Sequence, residues 1–410
     1  MPLTEADPAL PLAGIRVIDF STTVAGPSAV RHLADFGAQV IKIESLAHPD
    51  TLRAATPYAD RVAGVNRSGY FAAYNAGKLS LSLNMQKPEA IEIVRRLVEQ
   101  SDVLVEAFVP GVMGRWGLTY EQVSAWNPRI IMASHSLQGQ SGPHSRHRGY
   151  GQIASSMSGW YDLTGEEDGE PLGPYSAYTD FICWPFLVTA VLVALEVREE
   201  TGKGQYIDHA QLESSIHFLA APLLDLQITG NMTTRHGNHE DYACPNNVYL
   251  CVGPDRWIAI TVDSNVAWVA MCNELRHPEV VQDTRYIDLA ARKAHEAELD
   301  EMISGWTVAH DAFALADRLQ ATGVAAGAVA RAEDLFTDPQ LRHRGFFRRL
   351  PHAELGEHAV LTQSFRIDDW RPGPWRAAPL MGEHTHEICT EILGMTEDQI
   401  AVYAAEGVFE

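Results

Sequence analysis

Residues 14–44 read GIRVIDFSTTVAGPSAVRHLADFGAQVIKIE, and no other stretch constrains the fold as strongly. It opens with a strand-like run carrying Ile15, Val17 and Phe20 and closes with a second, AQVIKIE. Between them lie a loop with turn chemistry, STTVAGPS, and a helix, AVRHLADFG, that stops at Gly37. Two strands joined by one helix over so short a span run parallel, with a right-handed crossover. The pattern recurs. PEAIEIVRRLVEQ puts Ile91, Ile93, Val94, Leu97 and Val98 on an apolar side, DVLVEAF is a strand, TYEQVSAWN opens a helix, and RIIMASH is another strand. The first 140 residues therefore predict a doubly wound, Rossmann-like α/β domain.

Farther along, a long helix after Asp180 ends at the glycines of TGKG, and QYIDHAQLESSIHFLAAPLLDLQITGN begins as a strand and turns helical. The loop TTRHGNHEDYACPNN leads into a hairpin-like VYLCVGPDRWIAITV. We expect a large α/β domain over 1–215, a smaller α+β domain over 225–330 and a C-terminal tail over 335–410. The apolar run Phe181–Val197 is 17 residues long, contains Pro185 and is followed by acids. A spanning helix wants about 20 apolar residues, so this run reads as a buried core helix and no membrane is expected.

The net charge of −22 argues against general binding to nucleic acid or anionic membranes, and any anionic ligand needs a local basic site. Five scattered cysteines without a CxxC fit a reducing compartment. The opening MPLTEADPALPLAG has acids and prolines where a secretory signal has basic and then apolar residues, so the expected location is the cytoplasm.

Few motifs carry chemistry by themselves. STTVAGPS has one glycine and no GxGxxG, which removes the backbone cradle of a dinucleotide site although Glu44 closes the second strand. In HSRHRG, Arg146 and Arg148 either sit in a solvated loop or grip phosphate with their planar forks. His236, His239, Glu240 and Asp241 crowd one loop without the spacing of a metal site, as do His384 and His386, so no metal is expected. Trp160, Tyr161, Tyr178 and Trp184 either line a pocket or are plain core. Asp180 stands alone before the apolar run. Read locally it is a helix N-cap or a carboxylate held ionised at a helix start, ready to act as a nucleophile.

Taken in order, PLAGIRVIDFSTTVAGPSAVRHLADFGAQVIKIE, NAGKLSLSLNMQKPEA, SDVLVEAFVPGVMGRWGL, GQSGP, SGWYDLTG, the isolated Asp180, TGKGQYID and GEHTHEICTEILG resemble the class III (CaiB/BaiF-type) coenzyme A transferases. That family includes formyl-CoA, carnitine and bile-acid CoA transferases. The resemblance implies two domains with the tail returning to the large one, two chains interlocked as a homodimer or paired with a paralogous chain, and Asp180 as nucleophile. It implies an acyl-CoA donor and a carboxylate acceptor, with the CoA thioester as substrate and no permanently bound cofactor. It assigns Arg115 and Arg148 to the CoA phosphates, Lys78 to the family's NRGK position, Trp116 to the adenine flank, and Tyr150 and Val24 to the same site. The loop Thr233–Asn247 falls where the family has a glycine-rich lid. Departures exist: Ala107 and Val109 stand in EAFVPG where the family reads ENFRPG, and Val24 replaces the glutamine of formyl-CoA transferases. In the related α-methylacyl-CoA racemases a His-Asp pair occupies the positions of Tyr150 and Gly151, which leaves that isomerase as the alternative lacking its acid/base partner.

Overall fold

Alternation along the strands sorts side chains onto two faces of one sheet. Six strands, β1 (Arg16–Asp19), β2 (Gln39–Glu44), β3 (Leu79–Ser82), β4 (Val103–Glu106), β5 (Ile131–Ser136) and β6 (Tyr206–Ala210), lie in the order β3-β2-β1-β4-β5-β6, all parallel. The structure, a computed structural model, describes residues 10–409, so most of the stretch used to argue against a secretory signal lies outside the described residues.

Val17, Val40, Val103, Val105 and Ile131 pack with Val30 and Leu33 of the helix Ala25–Asp35 and with Leu187 and Val191 of the helix Trp184–Thr201. Ile18, Ile41, Leu104 and Met132 face the other way, onto Ile93, Val94 and Leu97 of the helix Pro88–Val98 and onto Ile388 and Cys389 near the C-terminus. Burial on both faces is what a parallel sheet with helical crossovers demands. The strand order reverses at the β1/β4 boundary, where loops leaving the carboxyl ends diverge and open a crevice.

Two compact units emerge. One holds the described residues up to Trp160, Gly173–Thr229 and the segment from Pro339 onward. The other holds Tyr161–Leu172 and Gly230–Asp338. It contains an antiparallel sheet of β7 (Asn246–Leu250), β8 (Trp257–Thr261) and β9 (Ala325–Ala328), covered by a core of Trp268, Met271, Leu299, Ile303, Leu315 and Leu319. Residues 161–172 were expected in the large domain. They join the smaller unit because Gly165 O accepts Gly237 N–H at 2.8 Å and Asp162 pairs with Arg235 at 3.1 Å.

The apolar run is buried on one face only. Leu187, Val188, Val191 and Leu195 are in the core, while Leu192 and Val193 on the same helix are 37% and 57% exposed. Counted from Tyr178 to Thr201 the helical stretch is long and apolar enough to cross a membrane. Its inner face is nevertheless spent on the sheet, and buried Arg198 pairs with Asp102 at 2.9 Å.

At the carboxyl ends of β1 and β2 lies a buried ionic cluster. Lys78 Nζ, with no exposed surface, donates to Asp19 Oδ2 at 2.8 Å, Asn75 Oδ1 at 2.9 Å and Pro27 O at 3.1 Å. All three ammonium protons are used. Lys78, assigned by resemblance to the CoA site, here fixes the loop after β1, with Lys42 holding Ser21 O at 2.8 Å and Asp50 at 2.9 Å beside it. Removing one partner of a buried ion pair leaves a charge uncompensated, so Lys78→Ala is expected to cost about 3–5 kcal/mol. Urea denaturation measures this; unchanged stability together with lost CoA affinity would restore Lys78 to the ligand.

Candidate active site

Asp180 sits in the short helix Tyr178–Ile182, which meets the helix Trp184–Thr201 at Cys183, with Pro185 in the first turn of the latter. It caps neither helix. The N-cap of the first is Ala177 and that of the second is Cys183, and neither end has a side-chain cap bond. The Asp180 side chain instead accepts a short hydrogen bond from Gln211 Nε2, and the same amide reaches Thr179 Oγ1 at 2.8 Å. Thr179 Oγ1 in turn donates to Gly151 O at 2.9 Å. Gln211 follows β6 directly, so the pairing of β6 with β5 carries the amide to a residue 31 positions away in sequence.

Burial pushes the Asp180 carboxyl up to about 6, with the Gln211 bond pulling the other way. The group is 5% exposed. A carboxylate so poised is ionised at neutral pH yet poorly solvated, which is the condition for nucleophilic attack.

A cleft of about 600 Å³ opens beside it at the sheet's carboxyl end. Its walls come from the turn after β1 and the start of the helix that follows (Thr22, Thr23, Ala25, Gly26), the loop after β4 (Ala107, Val109) and the carboxyl end of β5 itself (His135, Ser136), together with Arg148, Tyr150, Asp180 and Gln211. Thr23 takes φ +71°, a left-handed conformation costly for a β-branched residue, and its N–H is tied to Asp50 Oδ1 at 3.0 Å. This turn delivers the start of the helix Ala25–Asp35 to the cleft, where first-turn N–H groups carry the positive end of the helix dipole. Gly26 is needed for the approach: a Cβ there would lie 2.5 Å from Ser21 Cβ.

Of the residues singled out from the sequence, Asp180, Arg148 and Tyr150 share this cleft. Arg115 is exposed at the end of the turn Val112–Arg115, whose first residue lines the cleft. Trp116 is partly buried, its ring against Phe20 at 6.1 Å and edge-on to Phe108 at 5.5 Å. Val24 is 2% exposed and packs with Leu52, Phe71 and Ala378, while its neighbours Thr23 and Ala25 line the cleft. Trp160 and Trp184 are half-buried, the first donating to Ser215 Oγ at 3.0 Å and the second against His32, and neither is on the cleft wall. Among the described residues no group of acids, histidines and cysteines forms a metal site, and the five cysteines are unpaired and buried.

Sequence reasoning missed Gln211, His135 and the reason for Gly151. An ideal Cβ at 151 would stand 2.7 Å from Asp180 Oδ1 and 2.8 Å from Ala177 Cβ. A histidine inside the apolar strand RIIMASH was the one available signal for His135.

The family described as CoA-transferase family III matches residues 12–385. The chain is 34% identical over 385 residues to succinate–glutarate CoA-transferase of Agrobacterium fabrum, covering 93% of this chain and 96% of that one. It is 33% identical over 397 residues to the succinyl-CoA–L-malate CoA-transferase beta subunit of Chloroflexus aurantiacus, covering 95% and 96%. A crystal structure of a CaiB/BaiF family protein from Brucella suis superposes with a TM-score of 0.86 at 31% identity, over 93% of this chain and 99% of that one.

Proposed function

The chain belongs to CoA-transferase family III, and on that premise we propose that it moves CoA from an acyl-CoA to a free dicarboxylic acid with Asp180 as the covalent nucleophile. The observation that carries this reading is a desolvated carboxylate, held by Gln211, on the wall of a cleft at the sheet's switch point. Asp180 attacks the thioester carbonyl, the C–S bond breaks, and an acyl-aspartyl anhydride and CoA thiolate form. The thiolate attacks the aspartyl carbonyl, releasing the donor acid and leaving aspartyl-CoA. The acceptor carboxylate then displaces thiolate to give a second anhydride. Attack of thiolate on its acyl carbonyl yields the new acyl-CoA and frees Asp180. Each tetrahedral oxyanion needs donors, and the N–H groups of Ala25 and Gly26 at a helix start are suited to supply them.

Arg148, exposed on the same cleft, is suited to the CoA phosphates in a chain of net charge −22, with Arg115 beyond it. The similarity to malate and glutarate transferases supports a dicarboxylate acceptor. We also propose that a second chain, identical or paralogous, covers exposed apolar side chains such as Leu192 and Val193 on the helix Trp184–Thr201 and Leu224 and Ile228 on the helix Ala220–Thr229, all more than a third exposed. Buried free thiols agree with a cytoplasmic location. Racemase chemistry lacks its acid/base pair at Tyr150 and Gly151.

Incubation with a panel of acyl-CoAs, a hydroxylamine quench and peptide mass spectrometry test the covalent route. A hydroxamate on Asp180 is expected, together with CoA appearing on added dicarboxylates. Absence of any adduct while transfer proceeds would remove Asp180 as nucleophile, and solvent exchange at the α-carbon without transfer would favour the isomerase.

A further inference from the structure

Two histidines from adjacent strands meet inside the large unit. His135 Nδ1 and His209 Nδ1 are 2.7 Å apart, with the rings stacked at 4.8 Å. His209 Nε2 lies 2.8 Å from Ser214 Oγ, and that hydroxyl donates to Ala210 O at 3.2 Å. His135 is 4% exposed and His209 is 9% exposed. Burial holds both rings below their ordinary range, His209 at about 4, so the pair is neutral at working pH.

The tautomers follow once the Ser214 proton is placed, and we place it on Ala210 O, the i−4 carbonyl of its own helix turn. With the Ser214 proton given to Ala210 O, Ser214 Oγ accepts from His209, which places the His209 proton on Nε2. His209 Nδ1 is then a bare acceptor, so the proton between the rings sits on His135 Nδ1. His135 Nε2 is left with a lone pair and, among the described residues, no protein partner. His135 lines the Asp180 cleft. Ser136 beside it, 8% exposed and also on the wall, carries a buried hydroxyl with no partner.

An unpaired acceptor in a desolvated site disfavours a plain hydrocarbon chain and favours a donor. A carboxylate is repelled by the lone pair. A hydroxyl fits. Resting on the transferase reading above, we propose that His135 Nε2 receives the hydroxyl of a hydroxycarboxylic acid and that the His135–His209–Ser214 chain is the enzyme's specificity device for that acid class.

The test is a set of acceptors sharing a carbon skeleton, succinate against malate and glutarate against 2-hydroxyglutarate, in both configurations, with the full-length protein. The wild type is expected to favour a hydroxylated acid by roughly 100-fold or more in kcat/KM, since sites built for a hydroxyl reject analogues lacking it strongly. His135→Leu should reduce that ratio to within about threefold while leaving KM for the acyl-CoA unchanged. His209→Val, which frees the His135 proton to move to Nε2, should reduce the ratio by about tenfold. Equal use of both acids by the wild type overturns the proposal without touching the transferase reading, and needs no variant to fold. A preference that survives His135→Leu also overturns it. So does a raised acyl-CoA KM at an unchanged acid ratio, which would give Nε2 to an amide of the pantetheine arm. Failure of every dicarboxylate to accept CoA would sink the dicarboxylate reading beneath it as well.

Discussion

Asp180→Asn is expected to abolish CoA transfer and to make the protein more stable. The amide keeps the shape of the side chain and can still accept from Gln211 through Oδ1, so the cleft stays as it is. It has no anionic oxygen to attack a thioester, and loss of a covalent nucleophile costs about 10³-fold or more. Stability moves the other way because the carboxylate is buried against its preference. Its pKa in the folded protein, about 6, lies above the ordinary 3.8. Between those values the folded state binds more protons than the unfolded chain. This group's contribution is therefore most favourable below 3.8 and is lost as pH rises through 6, leaving a cost of roughly 3 kcal/mol at neutral pH. Thermal melts of wild type and variant should differ at pH 7.5 and converge as pH falls toward 4. The wild-type rate should show the same ionisation, with kcat/KM falling as pH drops below about 6. A variant no more stable than wild type at pH 7.5 would mean the carboxylate is not desolvated. Residual transfer within tenfold of wild type would mean that it is not the nucleophile.

The two halves of that argument were unequally visible in the sequence. Parallel strands could be read from the β-branched runs around Val17, Val40, Val103 and Ile131, because burial on both faces writes itself into local composition. Asp180 was ambiguous locally and became a nucleophile only through resemblance. Its environment could not be read at all: Gln211 approaches by way of a strand pairing, and nothing in QLESS announces the contact. The surroundings of Lys78 were hidden for the same reason. Its main partner, Asp19, is 59 residues away, and whether an ammonium faces a phosphate or three protein oxygens is settled by tertiary burial. The break near residue 161 was hidden because the bonds that recruit Tyr161–Leu172 come from Arg235 and Gly237.

Gly151→Ala separates a site built around the carboxylate from one that merely contains it. Gly151 is the first residue of the helix Gly151–Met157 and has no left-handed backbone, so alanine is conformationally acceptable and by propensity alone gains up to about 1 kcal/mol. Sterics oppose this, with the new methyl 2.7 Å from Asp180 Oδ1 and 2.8 Å from both Asp180 Cγ and Ala177 Cβ. Neither side can simply retreat. Gly151 O is tied to Thr179 Oγ1 at 2.9 Å and to Ser155 Oγ at 2.8 Å, and Asp180 is held by Gln211. The strain is relieved by displacing the carboxylate, and a shift of about 1 Å at a reacting group costs on the order of 10²-fold in rate. We expect kcat to fall by that factor with at most about 1–3 kcal/mol of overpacking cost. Gly305→Ala is the control: it lies in a helix of the other unit with nothing within 4 Å of an added Cβ, and it should keep full activity. Wild-type turnover in Gly151→Ala would show that the working carboxylate does not rest against residue 151. The predicted loss would mean that this chain cannot carry even a methyl group at position 151 while Asp180 keeps its place against that backbone.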